Sequence, residues 1–406
     1  MEYVMFCEVC GEPFGDLTLD LGRHPLCDDL YFIGSDQIIP NYHQLISLCK
    51  KCLTAHQMIP VKKDLLFKPS YHYRAALTKD VLSGMLSLVQ SLKSEMIELG
   101  TLSTVLDIGC NDGSLLGIFK DSYGCKTIGV DPTDAILEAG SRVDFKIKEY
   151  FTEDTVKMIK AVAPVVNLIT FTNVFAHIEN LPILLKNLDS LISDSTTLVI
   201  ENHYLGAVLD RNQFDTFYHE HPRTYSLRSF QHIARSLNLC ITGVEFPSRY
   251  GGNIRVTMKR HGAAMDLSSY TAQEDQFIDA FGALQNTYDE WKIYAKEKVT
   301  QLGTRGPMYG KALPGRAIML ISALDITEAI MPVVFEQPTS PKIGKYVPGT
   351  KIEVQSDNGL LVADPGILIV WSWHIVEEIV KYLDSLGYRG EIWVPLPEFR
   401  LYRPAL

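Results

Sequence analysis

The spacing of apolar residues changes three times along this chain, and each change marks a different kind of element. Up to about residue 65 there are only short apolar segments separated by Gly, Pro and Asp turns. That pattern suits a small domain that needs a metal to hold it together. From Leu77 to Leu99, apolar residues recur at helical spacing (Val81, Leu82, Met85, Leu86, Val89), which predicts an amphipathic helix. From Thr104 the pattern becomes short buried strands alternating with helices. Strands are predicted over 105–108, 127–130, 165–170, 197–201 and 254–259, and a long polar-apolar helix over 274–302. After Gly310 a second alternation predicts strands over 317–322, 333–336, 366–371 and 391–394, with helices near Thr327 and over 375–386. Alternation of this kind builds mostly parallel sheets covered by helices, so the fold class is α/β. The divisions expected are 1–70, 71–300 and 301–406, with no internal repeat.

Bulk properties narrow the function classes. At 406 residues the chain exceeds what one core normally serves, so two or three domains are expected. A net charge of -10 and the lack of a basic stripe argue against nucleic acid or an anionic membrane as partner. No apolar run is long enough to span a bilayer and no signal pattern opens the chain, so a cytoplasmic location is expected. Oligomeric state leaves no trace in the sequence.

Of the eight cysteines, Cys7-Glu8-Val9-Cys10 and Cys49-Lys50-Lys51-Cys52 form two CxxC knuckles. In a reducing compartment, Cys7, Cys10, Cys49 and Cys52 suit a tetrahedral zinc. Four sulfur ligands leave no open position, so the metal would be structural. A redox CxxC is disfavoured because neither pair lies in a strand-helix context. Cys27, Cys110, Cys125 and Cys240 stand alone and are expected to fill small apolar spaces.

Two further stretches carry chemistry. Val105-Leu106-Asp107-Ile108-Gly109-Cys110-Asn111-Asp112-Gly113-Ser114 is a strand, a glycine turn and a helix start. Gly109 and Gly113 would let the backbone pass close to a ligand. It is not G-x-G-x-x-G, so a dinucleotide has little support. Downstream, Phe214-Asp215-Thr216-Phe217-Tyr218-His219-Glu220-His221 crowds a phenol, carboxylates and two imidazoles into eight residues, enough to remove a proton, donate one and stabilise an oxyanion near neutral pH. A metal site is one alternative, since His219 and His221 would share a face if extended. A structural histidine is another.

The glycine turn, with acidic Asp107 before it, resembles motif I of class I S-adenosylmethionine methyltransferases. Asp131, ending the next strand, sits where such folds place the acceptor for both ribose hydroxyls. The eight-residue cluster followed by Thr224-Tyr225-Ser226-Leu227 resembles the central signature of bacterial nucleotide-sugar C-methyltransferases. Such enzymes also carry an N-terminal four-cysteine zinc motif, a Tyr-x-Tyr segment (here Tyr71-His72-Tyr73-Arg74) and a second, C-terminal Rossmann-like domain. Asn173-Val174-Phe175-Ala176-His177-Ile178 matches the family's active-site histidine segment, Gly251-Gly252-Asn253 a turn near the substrate, and the stretch from Lys342 to Thr350 a K-x-G-x-x-x-P-G element.

The resemblance implies a class I domain between a zinc-binding domain and a Rossmann-like substrate-binding domain. It implies methyl transfer to carbon beside the ketone of a nucleoside-diphosphate-linked deoxy-4-keto sugar, in deoxysugar biosynthesis. Cofactor contacts would come from Asp107, Gly109, Asn111, Gly113, Asp131 and Asn173. His221 would be the base, Tyr218 the contact to the enolate oxygen, and Glu220 would orient an imidazole. His177 would hydrogen-bond the sugar, and Tyr73, or Tyr71, would close over it. Ala75-Ala76 departs from the small hydroxyl residues usual there. Pro314-Gly315-Arg316 departs from the usual glycine-lysine-glycine wording, which bears on substrate identity. An O- or N-methyltransferase of another small metabolite is the rival reading; an RNA methyltransferase and an inactive scaffold are poorer ones.

Overall fold

The computed structural model describes residues 3–67, 74–77, 79–101 and 103–403. The N-terminal segment supplies β1 (Thr18–Pro25), β2 (Tyr31–Phe32), β3 (Asn41–Leu48) and β4 (Ala55–Gln57). The middle of the chain supplies β5 (Thr104–Ile108), β6 (Lys126–Val130), β7 (Phe145–Ile147), β8 (Leu168–Thr172), β9 (Thr197–His203), β10 (Arg223–Thr224), β11 (Cys240–Glu245) and β12 (Asn253–Lys259). The last third supplies β13 (Tyr309–Lys311), β14 (Val333–Glu336), β15 (Lys345–Tyr346), β16 (Glu353–Ser356), β17 (Ile367–Val370), β18 (Glu391–Val394) and β19 (Arg400–Leu401).

The central sheet has the order β11-β12-β9-β8-β5-β6-β7. Its strands from β5 to β9 pair in parallel, and β12 runs against both its neighbours. Such strands are buried on both faces, which is why β5 and β8 read as apolar runs rather than alternations. The chain leaves β5 towards β6 and β7, then returns to β8 on the other side of β5. A parallel sheet binds ligands outside the carboxyl ends of its strands where the winding reverses, so the crevice falls between the ends of β5 and β8. The third sheet, β19-β18-β17-β13-β14-β16-β15-β2, reverses in the same way at β13.

The sheets share strands across the expected divisions. β2 pairs with β15 at the edge of the C-terminal sheet, and β10 pairs with β4 in the N-terminal sheet β1-β3-β4-β10. The helix Phe277–Gly303 runs along all of this. Its buried residues Phe277, Phe281, Leu284, Tyr288, Trp291, Ala295, Val299 and Leu302 recur at steps of three and four, so they form one continuous stripe. From that stripe Tyr288 donates to the carbonyl of Leu21 (3.1 Å) and Trp291 to that of Pro395 (2.8 Å). Among the described residues no helix is long and apolar enough to cross a membrane.

Four local expectations are corrected. Residues 317–322, expected as a strand, lie in the helix Ala317–Ala323, and the strand of that unit is β13 instead. The run Ala-Ile-Met-Leu-Ile is buried throughout, so neither a two- nor a 3.6-residue period is visible in it. No helix forms at Thr327, where the chain turns. β8 begins at Leu168, three residues later than expected, because Val165 is exposed in the segment before it. The run 77–99 breaks at Leu92 into helices Lys79–Ser91 and Lys93–Leu99.

Candidate active site

The turn after β5 adopts backbone that side chains disfavour: φ is 76° at Gly109, 50° at Asn111 and 73° at Gly113. A Cβ on Gly109 would lie 2.4 Å from the Val174 side chain, so β5 and β8 release their chains in contact at the crevice. Asp131, after β6, accepts from the amide of Asn111 (2.9 Å) and from the amide and hydroxyl of Thr133 (2.9 and 2.5 Å). A carboxylate offers about four acceptor sites, so capacity remains for a sugar hydroxyl. Asp107 is buried, which pushes its carboxyl up to about 7 although the Thr170 hydroxyl donates to it at 2.7 Å. Asn111 and Asp112 accept the amides of Ala75 (3.0 Å) and Ala76 (2.9 Å), which brings the preceding segment over the turn. Tyr71, His72 and Tyr73 lie outside the described residues. Asn173, at φ 55°, donates its amide to the Glu201 carbonyl (2.7 Å) and accepts from Asn253 (3.1 Å), so the turn Gly251-Gly252-Asn253 meets the same crevice. The glycine turn, the carboxylate with spare acceptor capacity and the open end of the sheet fit an adenosyl cofactor.

The cluster segment is not extended. It folds into a short 3-10 turn (Phe214–Thr216) and a further turn, which sends its two imidazoles apart. His219 turns away and donates from Nε2 to the Tyr42 carbonyl (3.2 Å). His221 turns into the crevice, its ring 4.8 Å from His177, 4.9 Å from His203 and 4.2 Å from Tyr218. Its Nδ1 lies 2.9 Å from the carbonyl of Thr216. A carbonyl only accepts, so the proton sits on Nδ1 and Nε2 carries the lone pair. His177 is held the same way, by Nδ1 to the Glu220 carbonyl at 2.6 Å. Burial, and then the neighbouring imidazoles, hold His221 well below the ordinary imidazole value; burial lowers His177 too. Tyr218 is pushed well above the ordinary phenol value, first by burial and then by Glu220, so it keeps its proton as a donor. Glu220 acts on an imidazole through its backbone, while its carboxylate accepts from the Cys27 thiol (2.6 Å).

Both outer units grip this segment. From the N-terminal sheet, Gln44 donates to the Phe217 carbonyl (2.6 Å) and Gln57 to the Tyr218 carbonyl (2.7 Å). From the C-terminal unit, Arg316 forms a fork with Asp215 (2.8 and 2.6 Å) and donates to the Thr216 hydroxyl (2.7 Å). Trp373 donates to the same carboxylate (2.9 Å). Asp215 and Thr216 are fully buried, so this tie lies away from water.

Several residues here escape sequence reasoning. His203 lies two residues past the expected strand end at 201, on the same face as Glu201, and a longer strand would have placed it. Arg316 and His374 come from the C-terminal unit and have no local signal. Tyr250, at φ 53°, packs its ring 5.8 Å from His203 and 6.5 Å from His374.

The sulfurs of Cys7, Cys10, Cys49 and Cys52 all lie within 4.8 Å of one another. Cys7 and Cys52 are 3.4 Å apart and Cys10 and Cys49 3.5 Å. A disulfide would need about 2.05 Å. Zinc-sulfur bonds of about 2.3 Å in a tetrahedron imply about 3.8 Å between sulfurs, so the set fits one zinc. The Cys52 carbonyl accepts from Ser226 (3.0 Å), which caps the helix Leu227–Ser236 just after the cluster segment.

A family model for a methyltransferase domain matches residues 73–243, and one for a C-methyltransferase C-terminal domain matches residues 248–397. The chain is 26% identical over 412 residues to C-methyltransferase NovU of Streptomyces niveus, covering 97% of this chain and 96% of that protein. Among solved structures it is similar to magnesium protoporphyrin IX methyltransferase (ChlM) of Synechocystis PCC 6803 with bound SAH, at 15% identity and a TM-score of 0.35, covering 45% of this chain and 84% of the other. It is also similar to a SAM-dependent methyltransferase of Anabaena variabilis, at 14% identity and a TM-score of 0.34, covering 43% and 84%.

Proposed function

We propose that this chain, an S-adenosylmethionine-dependent methyltransferase with a C-methyltransferase C-terminal domain, methylates a carbon beside a ketone on a nucleoside-diphosphate-linked deoxy-4-keto sugar. The observation that carries the proposal is the state of His221: buried, neutral, with Nδ1 committed to the Thr216 carbonyl and Nε2 left to accept. Such a carbon is not a nucleophile until its proton is removed, whereas a hydroxyl or amine needs less basic help. His221 Nε2 takes that proton, and the electron pair of the C–H bond moves onto the ketone oxygen. The Tyr218 phenol, held protonated, donates to that oxygen as negative charge grows on it. His177 contacts the sugar, and Tyr73 closes over it. When bound, S-adenosylmethionine would supply the electrophilic methyl group; the glycine turn, Asn111 and Asn173 would hold it, Asp131 would take the ribose hydroxyls, and Asp107 would line the site.

In this reading residues 1–70 are a zinc-bound support, 71–300 the catalytic domain and 301–406 the nucleotide-sugar domain. The zinc sets the strands that grip Phe217 and Tyr218 and never touches the methyl group. Deuterium exchange tests the base without any methyl donor. TDP-, GDP- and CDP-linked 4-keto sugars in D2O are expected to exchange the proton α to the ketone with wild type. H221N should slow this by about 10²- to 10⁴-fold, the usual contribution of a positioned base. A product methylated on oxygen or nitrogen, or undiminished exchange in H221N, would refute the proposal.

A further inference from the structure

Arg249 is 7% exposed and sits in a short 3-10 turn before β12. Its Nη1 donates to Glu201 Oε1 at 3.2 Å, while Nε and Nη2 have no hydrogen-bond partner among the described residues. The stem crosses the helix Lys79–Ser91 at Gly84, where a Cβ would lie 2.1 Å from its Cδ and Nε. Glu201, fully buried, also accepts from Arg255 (2.8 Å) and Asn253 (3.0 Å). One buried carboxylate thus serves two guanidinium groups. Arg255 has a second acid in Glu245 (2.9 Å), whereas among the described residues Arg249 pairs with Glu201 alone. A buried cation with unpaired donors is costly unless something anionic completes it.

The place of Arg249 says which anion. Asn253 bridges Glu201 to Asn173, whose neighbour Val174 abuts Gly109, so this group borders the cofactor crevice. The helix carrying Gly84 packs on the helix Ser114–Tyr123, which starts at the glycine turn. Nε and Nη2 form the edge of a guanidinium that takes a planar carboxylate through two parallel bonds. We infer that Arg249 binds the carboxylate of the cofactor's amino-acid tail. This site is independent of the acceptor proposed above, because cofactor binding can be read with no sugar present.

Titration calorimetry of wild type, R249Q and R249K with S-adenosylhomocysteine, its carboxamide and 5′-methylthioadenosine decides the matter. Wild type is expected to favour the acid over the amide by about 10- to 100-fold, the range for a hydrogen bond to a charged group. R249Q should bind acid and amide alike and keep wild-type affinity for 5′-methylthioadenosine, which lacks the tail. R249K should keep part of the preference. The inference falls if wild type does not discriminate acid from amide, or if R249Q still does. It falls equally if binding of the tail-less ligand drops in step. An intact S-adenosylhomocysteine affinity with a raised KM for the sugar nucleotide would give Arg249 to a phosphate instead.

Discussion

Acidifying the protein from pH 8 to pH 5 should cost it much of its stability, through two buried histidines outside the proposed catalytic set. His24 and His219 are buried, at 3% and 2% exposure, and burial brings each down to about 4. Each donates one ring N–H to a carbonyl, Leu21 at 2.7 Å and Tyr42 at 3.2 Å, which suits the neutral ring. In the unfolded chain both titrate near 6.5. Between those values the unfolded state binds more protons, so stability is complete above about pH 6.5 and falls as pH drops towards 4. At pH 5 the loss works out at about 2 kcal/mol per residue, or about 4 kcal/mol for the pair. Set against a total of about 5 to 15 kcal/mol, that is a large fraction. Urea unfolding at pH 8, 7, 6 and 5, followed by tryptophan fluorescence, measures it in wild type and in an H24Q/H219Q variant. The variant should lose about 4 kcal/mol of the difference between pH 8 and pH 5. A pH dependence identical to that of wild type would refute the reasoning.

Three further outcomes are expected. D215N leaves Arg316 buried without its charge partner and should cost about 3 to 5 kcal/mol by denaturant unfolding, most of it recovered when R316Q is added; a loss below 1 kcal/mol would contradict the tie. Elemental analysis should find one zinc per chain, and its removal by a chelator should abolish turnover while S-adenosylhomocysteine still binds; full turnover in metal-free protein would deny the zinc unit its hold on the catalytic segment. G109A puts a Cβ 2.4 Å from Val174 at a φ of 76°, so calorimetry should show at least about tenfold weaker cofactor binding with zinc content unchanged, and unaltered affinity would refute the close approach.

Local chemistry made the catalytic domain legible. Its strands follow from apolar runs and its turn from Gly109 and Gly113, while the knuckles of the N-terminal unit follow from cysteine spacing. The contacts that decide what each histidine does are tertiary. Nothing in the order His219-Glu220-His221 says that the first ring meets Tyr42 and the second His177, because that depends on the turn beginning at Phe214 and on strands far away. The C-terminal unit hid its first strand for a related reason. β13 is three residues long and contains Gly310, while the apolar helix after it is buried all round. Arg316, read from sequence only as a departure, proves to be the residue that reaches Asp215 and Thr216.

The shared strands carry a consequence for biosynthesis. β2 emerges from the ribosome roughly 300 residues before Tyr346, the neighbour it must pair with. At about 5 to 20 residues per second, that is a delay on the order of 15 to 60 s. For that interval a stretch bearing Phe32 and Ile33 has its amides and carbonyls open to any passing edge. The last sheet can therefore close around β2 only after Tyr346 has emerged, and the nascent chain depends on whatever shields its early residues until then.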